Sequence, residues 1–180
     1  MDKMKGYIGI TAREWFEYLS SKDNIYEVNF WRKNTNNFRA LDKGDPFFFL
    51  VKNEKNNRGE RAVLGKATYE RFEVMTVSEA WEKYGQANGD GYRESFITRM
   101  NTMFEADPDI GEIGCIILSD FQVFDNPVYL SEIGIEFKSN IVSGKVITRE
   151  ECNLILEHAF TMKTGIQKLN DAEQMGLTED

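Results

Sequence analysis

Residues 41–52 read LDKGDPFFFLVK, and this stretch decides what kind of fold the chain can make. Residues 41–46 form a turn: Gly44 is free to take positive φ, and Pro46, which has no amide to give to a ladder, opens the next element. The run FFFLVK (47–52) has strand length and no polar alternation, so it predicts a strand covered on both faces. A sheet with cover on both sides therefore has to be assembled from the neighbouring segments.

Upstream, YEVNFW (26–31) alternates and reads as a strand, with NTNN (34–37) as a polar loop after it. Before it, YIGIT (7–11) reads as a first strand. Thr11 and Glu14 then form a capping box for the helix AREWFEYLSS (12–21), which sets Trp15, Phe16 and Leu19 on one face. Downstream, NEKNNRGE (53–60) is a charged loop, and RAVLGKATYERFEVM (61–75) is a long β-run with a bulge or bend at Gly65. Ser78 caps SEAWEKYGQAN (78–88), which Asn88-Gly89 ends. YRESFITRMNTMF (92–104) is an amphipathic helix presenting Phe96, Met100, Met103 and Phe104. IGCIILSDFQVF (113–124) is a second buried β-run, VYLSEIGIEF (128–137) is irregular, and SNIVSGKVI (139–147) is a Gly-punctuated loop. Thr148 and Glu151 form another capping box for REECNLILEHAF (149–160). The order β-α-β-β-β-α-α-β-β-α predicts an α+β fold, a small mixed, mainly antiparallel β-barrel with flanking helices. Residues 1–160 are expected to form the domain and 161–180, which lose apolar periodicity, a C-terminal extension or linker.

With 41% hydrophobic and 13% aromatic residues among 180, the chain can fill a core and is not of the disordered class. No apolar run approaches the roughly 20 residues of a membrane span. The start, MDKMKGYIGI, is too short and too quickly polar for a signal peptide, so a cytoplasmic protein is expected. Cys115 and Cys152 are far apart and read as buried free thiols. The net charge of −8 argues against a nucleic-acid partner in bulk, but the charge is uneven. Residues 1–72 hold 14 Lys or Arg against 10 Asp or Glu, and residues 73–180 hold 8 against 20. The first part can carry a local basic face of the kind phosphates need, while the second keeps the molecule soluble.

Catalytic provision is thin. The sole histidine, His158, lies in a helix, and no nucleophile elbow, phosphate loop or dinucleotide fingerprint occurs. No metal and no cofactor are expected. Binding is better provided for. In VNFWRKN (28–34), period two puts Val28 and Phe30 on one face and Glu27, Asn29 and Trp31 on the other. An indole among polar neighbours suits a pocket that stacks a base, while the competing reading is a core tryptophan. Arg32, Lys33, Arg39, Lys43, Lys52, Arg58 and Arg61 then supply a basic rim for the nucleic-acid backbone.

The stretches GYIGITAREWFEYL (6–19), EVNFWRKN (27–34), FRALDKGDPFFFLVKN (38–53), AVLGKATYERFEVMTVSEAWEKYGQANG (62–89), IGCIILSDFQVF (113–124) and NIVSGKVIT (140–148) resemble a domain at the N-terminus of many HNH restriction endonucleases. The similarity covers about residues 5–150; family members usually carry Pro where this chain has Lys33 and Gln where it has Ser143. Such domains are PUA-like and related to the EVE and YTH modules. The resemblance implies recognition of double-stranded DNA by flipping a modified base, 5-methylcytosine or 5-hydroxymethylcytosine, into an aromatic cage, with cleavage delegated to a C-terminal HNH domain outside this chain. It places Trp31 in the cage, polar groups at Thr11 and Arg13, and a second aromatic at Trp81 or Tyr84. The alternatives are a YTH-like reader of N6-methyladenine, a small PUA-related nucleic-acid hydrolase using Lys43, Lys66 and Glu70, and a protein-interaction module.

Overall fold

Phe47, Phe48 and Phe49 are all fully buried, and their alternation builds two cores at once. Phe47 and Phe49 point into a cluster with Trp15, Phe16 and Val28. Phe48 and Leu50 point into another with Ile8, Phe124, Ile147 and Ile155. Each phenylalanine withdrawn from water contributes about 1.5–3 kcal/mol, which fixes this segment at the centre of the sheet. The computed structural model describes residues 4–51, 60–105 and 107–160. Lys52, Arg58 and the expected 161–180 extension lie outside the described residues.

The elements are β1 (Lys5–Thr11), α1 (Arg13–Ser20), β2 (Glu27–Arg32), β3 (Pro46–Val51), β4 (Ala62–Thr76), α2 (Val77–Tyr84), α3 (Arg93–Phe104), β5 (Glu112–Val128), β6 (Gly144–Thr148) and α4 (Arg149–Ala159). Short 3-10 turns at Gly85–Asn88 and Leu130–Ile133 follow α2 and β5. One six-stranded sheet runs in the order β2-β5-β4-β3-β1-β6. All neighbours are antiparallel except β1 and β3, which pair in parallel from Tyr7–Phe47 to Thr11–Val51. The mixed, mainly antiparallel α+β class is therefore the observed one. The closed barrel is not: β2 and β6 are the two edges, and no ladder joins them among the described residues. Phe30 of β2 reaches the Phe47 ring of β3 at 4.8 Å, and the 33–41 connection adds Phe38 and Leu41, both buried, to the same core.

Local signals hold with shifts. The Thr148–Glu151 capping box forms as read. The α2 box forms on Thr76 and Glu79 rather than on Ser78. Thr11 does not cap α1: it is still paired in β1, its hydroxyl donates to the Gly9 carbonyl at 2.9 Å, and the helix begins beyond Ala12. Gly65 does sit at a register shift, where a Cβ would lie 2.4 Å from the Gln122 carbonyl oxygen. Met103, expected with the apolar face of α3, is 52% exposed. β6 arises inside the stretch expected to be a loop.

Candidate nucleic-acid interface

β2 is an edge strand with two differently occupied faces. Asn29 and Trp31 face α2, the 3-10 turn after it and α3. The Trp31 indole is 9% exposed and lies edge-on to Phe96 at 6.4 Å and Phe104 at 5.7 Å. Its N–H donates to the Asn88 carbonyl at 2.9 Å. Asn29 is fully buried; its amide donates to Asn88 Oδ1 at 2.8 Å and to Cys115 Sγ at 3.3 Å, and its own Oδ1 has no hydrogen-bond partner. Asn88 closes the arrangement by donating to the carbonyls of Ala80 and Gly85. Trp81 packs on Phe96 at 5.9 Å, so Trp31, Asn29 and Trp81 share one cluster.

The sequence reading made Trp31 the wall of an open cleft. In the structure α3 closes over it, because Phe96 and Phe104 cover the ring and the Asn88 carbonyl satisfies the one polar atom. Tyr84 stands beside this cluster in an ion network. Its hydroxyl donates to Glu73 at 2.6 Å and accepts from Arg71, which also grips Glu27 with two bonds of 2.9 Å. Burial and the Glu73 bond hold the Tyr84 phenol well above its ordinary value. Thr11 and Arg13 lie apart at the β1–α1 junction, where Arg13 donates to Glu17 at 2.9 Å. The six residues proposed from sequence for the base pocket are thus split among three places. Asn88, which ties the first together, was legible only as a helix end.

The basic rim is split as well. Lys43 stands 3.7 Å from Glu70, whose other oxygen accepts from Ser119 at 2.5 Å. Lys66 pairs across the ladder with Gln122. Of the three residues named for the hydrolase alternative, Lys43 and Glu70 are thus brought within ion-pair distance of each other. Arg61 lies in a cleft at the far end of β3. Arg32, Lys33 and Arg39 stay together at the end of β2 and the loop leaving it, with Lys33 and Arg39 exposed.

Arg32, next to Trp31 in the strand, projects from the opposite face of β2 at its end. Its guanidinium carbon is 4.9 Å from the Phe72 ring centre and 5.3 Å from that of Phe38. Phe38 in turn packs against Tyr7 at 5.1 Å and Tyr69 at 5.4 Å. One terminal nitrogen donates to the Asn36 carbonyl, and Nε is buried without a partner. No carboxylate pairs with Arg32 among the described residues. Burial pulls its pKa down, and the Tyr7 and Tyr69 phenols partly oppose this. Taking a cation out of water costs several kcal/mol, and aromatic faces return only about 0.5–2 kcal/mol each. This Arg32 mouth therefore holds a half-buried planar cation on an aromatic bed, with no carboxylate counter-charge among the described residues. Sequence reasoning found Arg32 but none of its four ring neighbours, which come from β1, β4 and the 33–41 connection.

The class these elements define is an α+β domain with an open, mixed, mainly antiparallel sheet, consistent at this coarse level with a PUA-like fold. Among solved structures, the chain is similar to ASCH from Zymomonas mobilis, with a TM-score of 0.60 and 17% identity over 84% of this chain and 94% of that one. The Y47F mutant of ZmASCH gives a TM-score of 0.60 and 16% identity over 84% and 96%. The N-terminal domain of Staphylothermus marinus McrB gives 0.56 and 9% over 87% and 97%. At such identities the likeness concerns the fold. No protein-family model and no curated protein matches the sequence.

Proposed function

We propose that this chain binds nucleic acid and reads a modified base, with the recognised nucleotide seated at the Arg32 mouth. The observation that carries this reading is the Arg32 guanidinium, stacked on Phe38 and Phe72 with a buried Nε and no carboxylate partner among the described residues. In this reading the guanidinium stacks a splayed-out base and its terminal N–H groups donate to phosphate. Lys33 and Arg39 flank it on the exposed loop and extend the phosphate track. Taking the base from a duplex costs a few kcal/mol, and stacking returns about 1–3 kcal/mol per base.

The finer reading is that the base is a 5-methyl- or 5-hydroxymethylcytosine flipped from DNA, with N6-methyladenine as the alternative. In it, the chain acts as the specificity domain for an HNH nuclease. The motif resemblance of residues 5–150 supports it. Trp31 and Asn29 then act from behind the strand, by fixing β2 against α3, rather than as cage walls.

The test is a fluorescence-anisotropy panel of otherwise identical duplexes carrying cytosine, its two modified forms or N6-methyladenine. Arg32→Ala is expected to weaken binding to the preferred duplex at least about tenfold and to lower the salt slope by about one unit. Arg32→Lys keeps the charge and the slope but loses the fork, and with it the preference among bases. Unchanged affinity and slope in Arg32→Ala refute the seat, and equal binding to all duplexes by the parent refutes the modified-base reading.

A further inference from the structure

On the other side of β3 lies a cleft of about 560 Å³, within the range of small-molecule sites and remote from Arg32. Its floor is apolar: Leu50, Leu130 and Ile135 are buried in the second core, and the half-buried Phe137 packs against it. Two exposed cations, Arg61 and Lys138, stand at its rim. Two acids also line it. Glu60 is tied to the wall, accepting from the Ser131 hydroxyl at 3.2 Å. Glu136 is exposed, and its backbone carbonyl accepts from the Lys145 ammonium. With Glu60 engaged, the charged groups left to meet a ligand among the described residues are two cations and one carboxylate over an apolar floor.

We propose that this cleft binds a small amphipathic anion, with its apolar body on Leu50, Leu130, Ile135 and Phe137 and its anionic group between Arg61 and Lys138. The chemistry asks for a flat or branched hydrocarbon body bearing one carboxylate, sulfonate or phosphate. A strongly polar anion forgoes the floor, and a neutral hydrocarbon forgoes the rim. This site is separate from the nucleotide seat, and it takes Arg61 away from the nucleic-acid rim to which the sequence assigned it.

The probe is 8-anilinonaphthalene-1-sulfonate, read by its fluorescence in a saturation titration of the whole chain, beside the uncharged N-phenyl-1-naphthylamine. The parent is expected to bind one sulfonate dye and to prefer it over the neutral one. The Arg61→Ala, Lys138→Ala double variant, changed only at exposed positions, is expected to bind the sulfonate at least about tenfold more weakly and the neutral dye unchanged. Arg32→Ala is expected to leave sulfonate binding intact, so this site and the nucleotide seat stand or fall separately. No saturable binding by the parent, equal sulfonate affinity in parent and double variant, or loss of sulfonate binding in Arg32→Ala overturns the assignment.

Discussion

Replacing Gly89 by alanine tests how the β2 face is closed. Gly89 ends the 3-10 turn after α2 with φ at 88°, in the left-handed region. A Cβ built there lies 2.2 Å from Trp15 Cδ1 and 2.8 Å from its Nε1. The indole cannot move aside freely, because Nε1 donates to the Asn29 carbonyl at 3.1 Å and the ring is 2% exposed. Two costs therefore add: about 1–2 kcal/mol for a side chain in left-handed backbone and about 1–3 kcal/mol for overpacking a filled site. Gly134→Ala is the control. Its φ is 75°, and nothing lies within 4 Å of the added carbon, so only the first cost applies. Urea unfolding followed by tryptophan emission is expected to place Gly89→Ala about 1–3 kcal/mol below Gly134→Ala at equal m-value. Equal midpoints for the two variants refute the packing described for Trp15, and with it the link between α1 and the turn that carries Asn88.

Trp31→Ala is expected to cost about 3–5 kcal/mol, since it opens a cavity under α3 and strands the Asn88 carbonyl; a urea midpoint close to the parent's shows instead that the ring is free to serve as a wall. Arg71→Met tests the ion network by pH. The Arg71 bonds hold the Glu27 carboxyl below its ordinary value of 4.5. Burial pushes Glu73 up, but bonds from Tyr84, Arg71 and Lys83 outweigh it and leave it low. Depressed carboxyls stabilise the fold above their unfolded pKa and lose that contribution as pH falls through the folded one. The parent's advantage over Arg71→Met is therefore expected to be full at neutral pH and to shrink below about pH 4.5; an advantage constant with pH in thermal melts refutes the linkage. Burial pushes both thiols, Cys115 and Cys152, up to about 11. Labelling by Ellman's reagent at pH 8 is expected to proceed only at the rate of unfolding, and prompt reaction of either thiol in native buffer contradicts its placement.

What could be read from the sequence was whatever a single segment determines. FFFLV needed cover on both faces and has it, and the order of strands and helices follows from runs and breaks along the chain. Errors at helix starts are competitions between neighbours. Thr11 carries a cap signature, yet its place in the β1–β3 ladder wins, and Thr76 outcompetes Ser78 because its partner Glu79 is correctly spaced. β6 was missed because it is an edge strand that buries only Ile147 and leaves Val146 47% exposed, so its alternation is faint. Barrel closure belongs to the whole sheet, and no run of residues announces it. At the site, alternation correctly separated Trp31 from Phe30. It could not say that α3 would lie over one face, or that Phe38, Phe72, Tyr7 and Tyr69 would converge on Arg32.

β1 precedes the other described strands in the chain, yet it lies inside the sheet, with β3 on one side and β6 on the other. Its second partner, Gly144–Thr148, leaves the ribosome only after nearly all the remaining elements have been made. Until then a nascent chain carries an unpaired backbone edge on β1, the kind of edge that templates wrong pairing. A chain cut before Gly144 is therefore expected to expose that edge, and the arrival of β6 is the step that covers it.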